Sequence, residues 1–262
     1  MNNPLISVII PTHNNFSTLG EAVYSIINQT YKNLEILIID DNSSDNTFSI
    51  AKEFKKKDRR IKIYSLPFDD FNRVNKKGRN INAGYMARNY GFEKCNGEWI
   101  TFQDGDDISL PNRIEIQYKL TQKYNSNHVC INWKKEFKEE NNINIDDKTK
   151  LIDSTFLYNL SQKTKGLMYK LFGKLNSYIP FNIKTLIILN KLFFGLLESY
   201  PLCGSVPLVK REIINTIKFR QLNDRMWPSF TGRGADRDFN FAIAEKYKNS
   251  ICFNAPLYIW RA

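Results

Sequence analysis

The chain has 262 residues, 42% of them hydrophobic, which suffices for one large α/β domain or one domain with a helical appendage. No uncharged apolar run reaches the ~18 residues of a spanning helix, which argues against a transmembrane segment. The net charge of +11 favours an anionic partner such as nucleic acid, anionic lipid or a phosphorylated substrate, with a merely solvated basic face as the alternative.

The first residues, 1–4, lack the basic start and apolar stretch of a signal peptide, so the sequence predicts a cytoplasmic protein. Four cysteines form no Cys-x-x-Cys pair: Cys95, Cys130, Cys203 and Cys252. Because the chain has only two histidines, we expect no zinc site. We therefore interpret the cysteines as reduced core residues.

Residues 1–133 alternate short β-branched runs with segments of helical periodicity, a pattern typical of a mostly parallel sheet with crossover helices. Strands are expected at 5–10, 34–39, 61–64, 99–102 and 128–133. Helices are expected after Ser17, after Asp45, over 83–94 and after Pro111. The sequence therefore predicts an α/β fold, with this first half binding the main ligand.

Residues 134–262 are expected to complete the same domain. A basic amphipathic helical segment spans 151–200, with an apolar stripe made of Leu167, Met168, Leu171, Phe172 and Leu175. Such a segment either packs in a core or dimer interface, or lies on a membrane with its lysines reaching the headgroups. Beyond it, a helix is expected at 236–247, and strands at 206–209, 251–253 and 257–260.

Acidic side chains follow two of the predicted strands at the point where each ends. Asp40 and Asp41 end the second strand, and Asp104, Asp106 and Asp107 follow the fourth. In an open parallel sheet, ligands bind outside the carboxyl ends of the strands, so these five carboxylates are expected to converge. Because they would repel one another, a divalent cation with oxygen ligands, Mg²⁺ or Mn²⁺, is the simplest resolution.

Four motifs occur in order over residues 5–113: Ser-Val-Ile-Ile-Pro-Thr-His-Asn at 7–14, Ile-Ile-Asp-Asp-Asn-Ser-Ser-Asp at 38–45, Ala-Arg-Asn-Tyr-Gly at 87–91 and Gly-Glu-Trp-Ile-Thr-Phe-Gln-Asp-Gly-Asp-Asp at 97–107. Together they resemble the family 2 glycosyltransferases. That resemblance implies a GT-A fold, which is a Rossmann-like, mostly parallel sheet flanked by helices, with a helical insertion on the acceptor side. It also implies transfer from a nucleotide-sugar donor.

The resemblance implies a donor site. Its nucleotide base and ribose would be held by Pro11, Thr12, His13, Asn14 and Asp41. An aspartate that accepts a hydrogen bond from a base N–H favours an imide ring, so we expect a UDP-sugar or dTDP-sugar rather than a GDP-sugar.

The same resemblance also indicates which residues would contact the diphosphate of the donor and the metal ion. Asp104 would contact ribose or metal, and Asp106 would bind the Mn²⁺ or Mg²⁺ ion directly. Arg88 and Arg79 are placed where the family approaches the diphosphate, although both are also compatible with plain surface arginines.

On the acceptor side, the resemblance places the catalytic base at Asp236, in a family motif whose usual glutamate is replaced here by Ala235. The alternative is that Asp236 only caps a helix. Asp238 is the fallback base. Trp227, in a loop just before the base, is a candidate platform for an acceptor sugar, although aromatic side chains are more often part of the core.

The expected reaction is an inverting transfer to a hydroxyl of a surface glycan or lipid-linked saccharide, of the kind used in bacterial polysaccharide assembly. An enzyme of this kind would work in the cytoplasm, peripheral to the inner face of an anionic membrane. The main alternative is a catalytically inactive module for membrane or complex assembly. A nucleotidyltransferase is disfavoured, since residues 11–15 are not a glycine-rich basic loop. No basic-aromatic motif supports nucleic-acid binding.

Overall fold

The computed structural model describes residues 3–70, 73, 84–135, 143–196, 198–227 and 234–261. Within them, one sheet of nine strands forms the centre of the fold and runs through both predicted halves. The strands are β1 (Ile6–Thr12), β2 (Leu34–Asp40), β3 (Ile61–Ser65), β4 (Trp99–Phe102), β5 (Ile108–Ser109), β6 (His128–Lys134), β7 (Leu151–Ile152), β8 (Cys203–Lys210) and β9 (Ser250–Ile259).

The order of strands across the sheet is β3-β2-β1-β4-β8-β6-β9-β5, and β7 pairs with β9. The first four strands in that order are parallel. Strand β8 is antiparallel to both of its neighbours, whereas β6 and β9 are parallel to each other. The carboxyl ends of β1, β2 and β4 therefore lie at one edge of the sheet.

Helices cover both faces of the sheet, which confirms the α/β prediction. In the described residues they are α1 (Leu19–Ile27), α2 (Thr47–Lys57), α3 (Tyr85–Lys94), α4 (Arg113–Tyr124), α5 (Ser154–Thr164), α6 (Leu167–Phe172), α7 (Phe181–Lys184), α8 (Ile187–Phe193), α9 (Arg211–Ile214) and α10 (Ala235–Tyr247). Short 3₁₀ helices occupy Lys148–Lys150, Gly173–Tyr178 and Leu222–Asp224. No helix in these described ranges combines the length and apolar character needed to cross a membrane.

The central strands are apolar on both faces because each face packs against helices. Val8 of β1 belongs to a cluster with residues of α1, α2 and α4. Its neighbour Ile9 belongs to the opposite cluster, with residues of α3, α9 and α10. Successive side chains of a strand point to opposite faces, so one continuous apolar run serves two cores.

The predicted helices and longer strands are present with shifts of one to three residues at their ends. Two differences concern strands: β5 and β7, each of two residues, were not expected, and the two expected C-terminal strands are one strand, β9. Pro256 lies between the two expected strands and pairs with Asn132. Irregular register opposite Asn132 absorbs the proline within the pairing of β6 with β9.

The basic segment, which we define as residues 154–196, consists of short helices rather than one long amphipathic helix. Most of its predicted apolar stripe is exposed, including Leu167, Leu171, Phe172 and Leu175. Those side chains therefore do not form part of this chain's own core. The expected reduced core cysteines are present at the described positions 95, 130 and 252, where all three are buried and none forms a disulfide bond.

Candidate active site

A cavity of about 370 Å³ opens at the carboxyl ends of β1, β2 and β4. It brings together most of the residues predicted for the donor site, along with the predicted base. Its walls are formed by Pro11, Thr12, His13, Asn15, Asp41, Gly84, Arg88, Asp104, Gly105, Asp106 and Asp236.

The turn that follows β1 is held by Asn15, which the sequence motifs did not single out. The Asn15 Oδ1 atom accepts hydrogen bonds from the Thr12 hydroxyl and the His13 backbone N–H, each 3.0 Å long. The His13 Nδ1 atom lies 2.6 Å from the Asp41 carbonyl oxygen, so Nδ1 carries the proton and donates. These bonds tie the end of β1 to the end of β2.

Asn14, the other predicted nucleotide ligand in this turn, does not line the cavity. It adopts a left-handed backbone conformation with φ of 53°, and its Oδ1 accepts from the Ser44 backbone N–H at 2.8 Å. Its own N–H donates to the Ser43 hydroxyl. In this structure Asn14 braces the two loops behind the cavity wall.

Asp41 is buried and carries an ion pair that the motifs did not indicate. Arg73 donates from Nε and Nη2 to the two carboxylate oxygens, at 2.9 and 2.6 Å. This pairing raises the pKa of the Arg73 guanidinium. A nucleobase that hydrogen-bonds to Asp41 therefore competes with Arg73 for the same oxygens.

Arg88, on the first turns of α3, lies between two cavity carboxylates. It is only 2% exposed, donates to the Asp104 carboxylate, and places Nη1 3.8 Å from the Asp236 Oδ1 atom. The rings of Phe102 and Phe219 lie 5.7 and 5.5 Å from its guanidinium. Aromatic packing thus fixes one positive charge between two acids.

Asp236 stands in the first turn of α10, after Gly234 at a left-handed φ of 100°. Its Oδ1 atom is buried and accepts no hydrogen bond from the described residues. Burial raises the pKa of this carboxyl, while the charge of Arg88 lowers it to a lesser extent. A carboxylate that is partly desolvated and lines a cavity is suited to accept a proton from a ligand bound there.

Helix α10 is anchored to the sheet by a buried polar chain. The Asn240 amide donates to the Gly204 carbonyl at 2.7 Å and accepts from the Nε2 atom of His128 at 2.8 Å. The His128 Nδ1 atom in turn accepts from the Ser250 hydroxyl. Burial lowers the pKa of His128 to about 4, so this imidazole is neutral at physiological pH.

The loop after β4 is braced from the end of β9. The Asp104 backbone N–H donates to the Tyr258 hydroxyl at 3.2 Å, and the Arg261 backbone N–H donates to Asp107 at 2.8 Å. The Arg261 Nε atom donates to the Asp106 carbonyl oxygen. Burial, followed by the charge of Asp104, raises the pKa of Asp107 to about 7.

The expected convergence of five carboxylates is therefore only partly correct. Asp41, Asp104 and Asp106 line the cavity. Asp107 instead accepts from Arg261, and Asp40 is buried and accepts from the Ser43 backbone N–H at 3.2 Å. These two carboxylates stabilise their own loops.

No three acidic, histidine or cysteine side chains in the described ranges are grouped as a ready-made metal cage. Asp104 and Asp106 nevertheless line the same cavity, and burial, followed by the charge of Asp104, raises the pKa of Asp106. A Mg²⁺ or Mn²⁺ ion is commonly held by one or two carboxylates and completed by substrate phosphates and water. The carboxylates of Asp104 and Asp106 fit that mode of binding.

Two acceptor-side predictions are wrong. The Trp227 ring is 1% exposed, and its indole N–H donates to the Ser161 carbonyl at 3.0 Å, so it belongs to the core. Asp238 is fully buried, with both carboxylate oxygens paired to Arg220, and it also accepts from the Met226 backbone N–H. Neither side chain can meet an acceptor sugar. The predicted Arg79 lies outside the described residues.

Glycines shape the wall where backbones approach closely. Gly84 caps α3 at a left-handed φ of 66°, and a Cβ added there would lie 2.9 Å from the Cβ of Pro11. At Gly105, an added Cβ would lie 3.0 Å from the Asn15 Oδ1 atom. Gly105 belongs to the Asp-Gly-Asp motif, whereas Gly84 falls inside the helix expected over 83–94, so the sequence did not indicate its role as the cap.

Solved structures with a similar fold support the GT-A prediction. The UDP-GlcNAc complex of TarS from S. aureus aligns with a TM-score of 0.55 at 15% identity, covering 98% of this chain and 58% of that one. The mannosyltransferase PcManGT from Pyrobaculum calidifontis, in complex with GDP-Man and Mn²⁺, gives 0.55 at 17% identity, covering 98% and 56%. At these identities the likeness concerns the fold, which is GT-A.

Sequence relatives match about half of the chain. A Campylobacter jejuni GalNAc(5)-diNAcBac-PP-undecaprenol β-1,3-glucosyltransferase is 38% identical over 128 residues, 49% of this chain and 37% of that protein. An Escherichia coli UDP-Glc:α-D-GlcNAc-diphosphoundecaprenol β-1,3-glucosyltransferase is 35% identical over 133 residues, 51% of this chain and 47% of that protein. The chain spans about half or less of the length of these relatives.

The family model for glycosyl transferase family 2 matches residues 7–190, which include the loops after β1, β2 and β4 and the arginine of α3. The match covers well over half of the chain and contains every motif on which the resemblance was based. The protein therefore belongs to glycosyl transferase family 2.

Proposed function

We propose that this glycosyltransferase moves a sugar from a UDP-sugar to a hydroxyl of a lipid-linked saccharide, with inversion at the anomeric carbon. The observation that carries the proposal is the Asp236 carboxylate, whose side chain is 30% exposed and which shares one cavity with the donor-side acids. The names of the two relatives described above specify undecaprenol-linked acceptors, which supports the choice of acceptor. One of them also specifies UDP-Glc.

The donor would lie along the cavity from β2 to α3. Asp41 would accept the imide N–H of uracil after displacing Arg73, while Pro11, Thr12 and His13 line the same end. The position of Arg88 beside Asp104 would place its guanidinium near the diphosphate. The contribution of Arg79 stays a prediction.

Asp106 and Asp104 would hold the divalent cation together with phosphate oxygens of the donor. When bound, that cation neutralises charge that develops on the leaving diphosphate. Arg88 would add a second fixed positive charge at the same place, since packing against Phe102 and Phe219 prevents its withdrawal.

In the transfer step, the acceptor hydroxyl oxygen would form a bond to the anomeric carbon as the bond from that carbon to the UDP oxygen breaks. The electron pair leaves with UDP, and the hydroxyl proton passes to Asp236. Ala235, in the place of the family's glutamate, packs in the core, so Arg88 is the charged group that orients the base.

The test is transfer from radiolabelled UDP-glucose and UDP-GlcNAc to undecaprenyl-diphosphate-linked N-acetylglucosamine, with Mn²⁺ or Mg²⁺. Asp236→Asn and Asp106→Asn should each lower the rate by at least about 100-fold. Asp146→Asn is the matched control, because that acid lies exposed on the surface and pairs only with Lys123 among the described residues. Near-wild-type transfer by Asp236→Asn would disprove the role of the base.

A binding measurement separates the enzyme from the alternative, an inactive assembly module. Thermal unfolding would be followed with UDP alone, Mn²⁺ alone and both together. Stabilisation by the pair beyond the sum of the single ligands supports the cation-bridged donor site. If neither UDP nor the pair raises the unfolding temperature, the module becomes the better description.

The basic segment supports a membrane-surface partner. Residues 154–196 contain six lysines and no acidic residue. Lys184 is buried and Lys165 pairs with Glu245, so the exposed lysines of the segment are those at positions 163, 170, 174 and 191. The same segment exposes large apolar side chains, with Ile187 and Ile188 at 87% and 89% exposure. Apolar side chains edged by lysines match an anionic bilayer surface in both polarity and charge. We therefore place the enzyme at the cytoplasmic face of a membrane, where a lipid-linked acceptor is held.

Flotation with liposomes containing phosphatidylglycerol, compared with pure phosphatidylcholine, tests this placement. The protein should float with the anionic liposomes only, and the double variant Ile187→Ser, Ile188→Ser should not. Tyr24→Ser is the control, since it removes another large exposed side chain, 63% exposed, from α1, outside the basic segment. Absence of flotation with wild-type protein, or concentration-dependent dimerisation through the segment, would overturn it.

A further inference from the structure

A second cavity, of about 240 Å³, lies beside the first and is not part of the donor site. The two cavities share one functional side chain, Asp236, which lines both. The volume is below the ~300–1,000 Å³ that is typical of sites for drug-sized ligands, so it suits a single ring rather than a nucleotide.

Two tryptophans dominate the wall of this second cavity. Trp133 and Trp260 are 37% and 40% exposed, unlike the buried indole of Trp227. Their ring centroids are 5.1 Å apart with an interplanar angle of 74°, an edge-to-face pair that fixes both rings. Large aromatic faces left at a cavity mouth are costly in water and are suited to pack against the C–H face of a pyranose.

The pairing of β6 with β9 positions both indole rings. Trp133 pairs with Tyr258 across β6 and β9, and the Trp260 N–H donates to the Lys134 carbonyl at 2.9 Å. The register shifts on either side of Asn132, just before Trp133. Such an irregularity turns a side chain toward a site that regular pairing would not reach.

The wall between the tryptophans and the base is kept open by Gly204. A Cβ added there would lie 3.6 Å from the Cβ of Asp236 and 3.1 Å from the Asn240 amide. Because Gly204 carries no side chain, the cavity continues from the indoles to the carboxylate. Tyr258, which braces the acidic loop of the donor cavity, lines the second cavity as well.

We propose that the second cavity binds the terminal pyranose of the acceptor, with Trp133 and Trp260 as its platform and the reacting hydroxyl at Asp236. This inference rests on the proposed transferase function. It explains how one carboxylate can serve two substrates: the donor approaches Asp236 from the first cavity and the acceptor from the second.

Two measurements test the subsite. In saturation-transfer NMR, methyl β-glycosides of glucose, galactose, N-acetylglucosamine and N-acetylgalactosamine are added to the UDP-bound enzyme. At least one should receive saturation from wild-type protein, and Trp133→Leu and Trp260→Leu should abolish the signal. Trp133→Tyr should retain part of it. Tyr24→Leu is the control, because Tyr24 is an exposed aromatic residue that lines neither cavity.

In transfer assays, the two leucine variants should raise the acceptor KM by about tenfold and leave the UDP-sugar KM unchanged. If wild-type enzyme transfers sugar but the acceptor KM of both variants stays the same, the subsite is wrong and the transferase function stands. If wild-type enzyme binds none of the four glycosides, the subsite is also refuted. Loss of UDP binding by wild-type enzyme would instead refute the proposed function.

Discussion

Acidification should destabilise the fold through His128, the buried imidazole that anchors helix α10 to the sheet. Its pKa is lowered from 6.5 to about 4 by burial, so between these values the unfolded chain binds a proton that the folded chain excludes. The free energy of unfolding therefore decreases as pH falls below 6.5 and stops decreasing below about 4. Between about pH 7.5 and pH 5 the contribution of this residue amounts to about 2 kcal/mol.

Asp107 changes the free energy of unfolding in the opposite direction as pH falls, so its contribution must be removed from the comparison. The pKa of Asp107 is raised to about 7, so the folded chain holds a proton there that the unfolded chain lacks, and this stabilises the fold as pH falls. The His128→Gln variant keeps Asp107. Subtracting the variant's stability from that of wild type at each pH therefore isolates the imidazole.

Urea denaturation of both proteins between about pH 7.5 and pH 5 provides the measurement. Glutamine can still donate to Asn240, so the variant should fold, with a lower stability whose difference from wild type shrinks as the pH falls. The reasoning is refuted if wild type and variant lose stability in parallel over this range.

Two further predictions concern the donor cavity. Gly84→Ala should lower the free energy of unfolding by about 1–3 kcal/mol, since it combines a left-handed φ with a Cβ at 2.9 Å from Pro11. Gly20→Ala, whose added Cβ meets only Phe54 at 3.8 Å, should not destabilise α1. Urea denaturation checks both variants. Arg88→Lys should lower kcat/KM by about 100-fold, because the single ammonium group of lysine cannot contact Asp104 and Asp236 together. Arg59→Lys on the surface is the control, and equal activity of the two variants would contradict the prediction.

The donor cavity was largely predictable because its residues follow strand ends directly. In a parallel sheet, the residues after β1, β2 and β4 must meet at one edge, whatever the lengths of the connections. Local sequence therefore placed Asp41, Asp104 and Asp106 together. Strand position alone does not separate Asp40 from Asp41, since which of two adjacent carboxylates faces the cavity depends on the turn that follows; the family resemblance supplied the choice of Asp41.

The acceptor side was less predictable because its contacts join distant segments. The sequence placed Trp227 in a loop, yet its indole is buried and donates a hydrogen bond to the Ser161 carbonyl oxygen of α5. Trp133 and Trp260 meet only because β6 and β9, far apart in sequence, are paired. Arg73 gave no periodic or motif signal, and its pairing with Asp41 follows from tertiary placement alone.

The bracing of the acidic loop by β9 also bears on how the enzyme is made. The hydrogen bond between Asp104 and Tyr258 and the one between Asp107 and Arg261 each join residues 154 positions apart. Domains fold as the chain emerges from the ribosome, and contacts this distant in sequence form last. The parallel strands can assemble early in synthesis, but the carboxylates acquire their final positions only when β9 is inserted beside β6. Competence to bind a donor is thus acquired only after β9 has been synthesised.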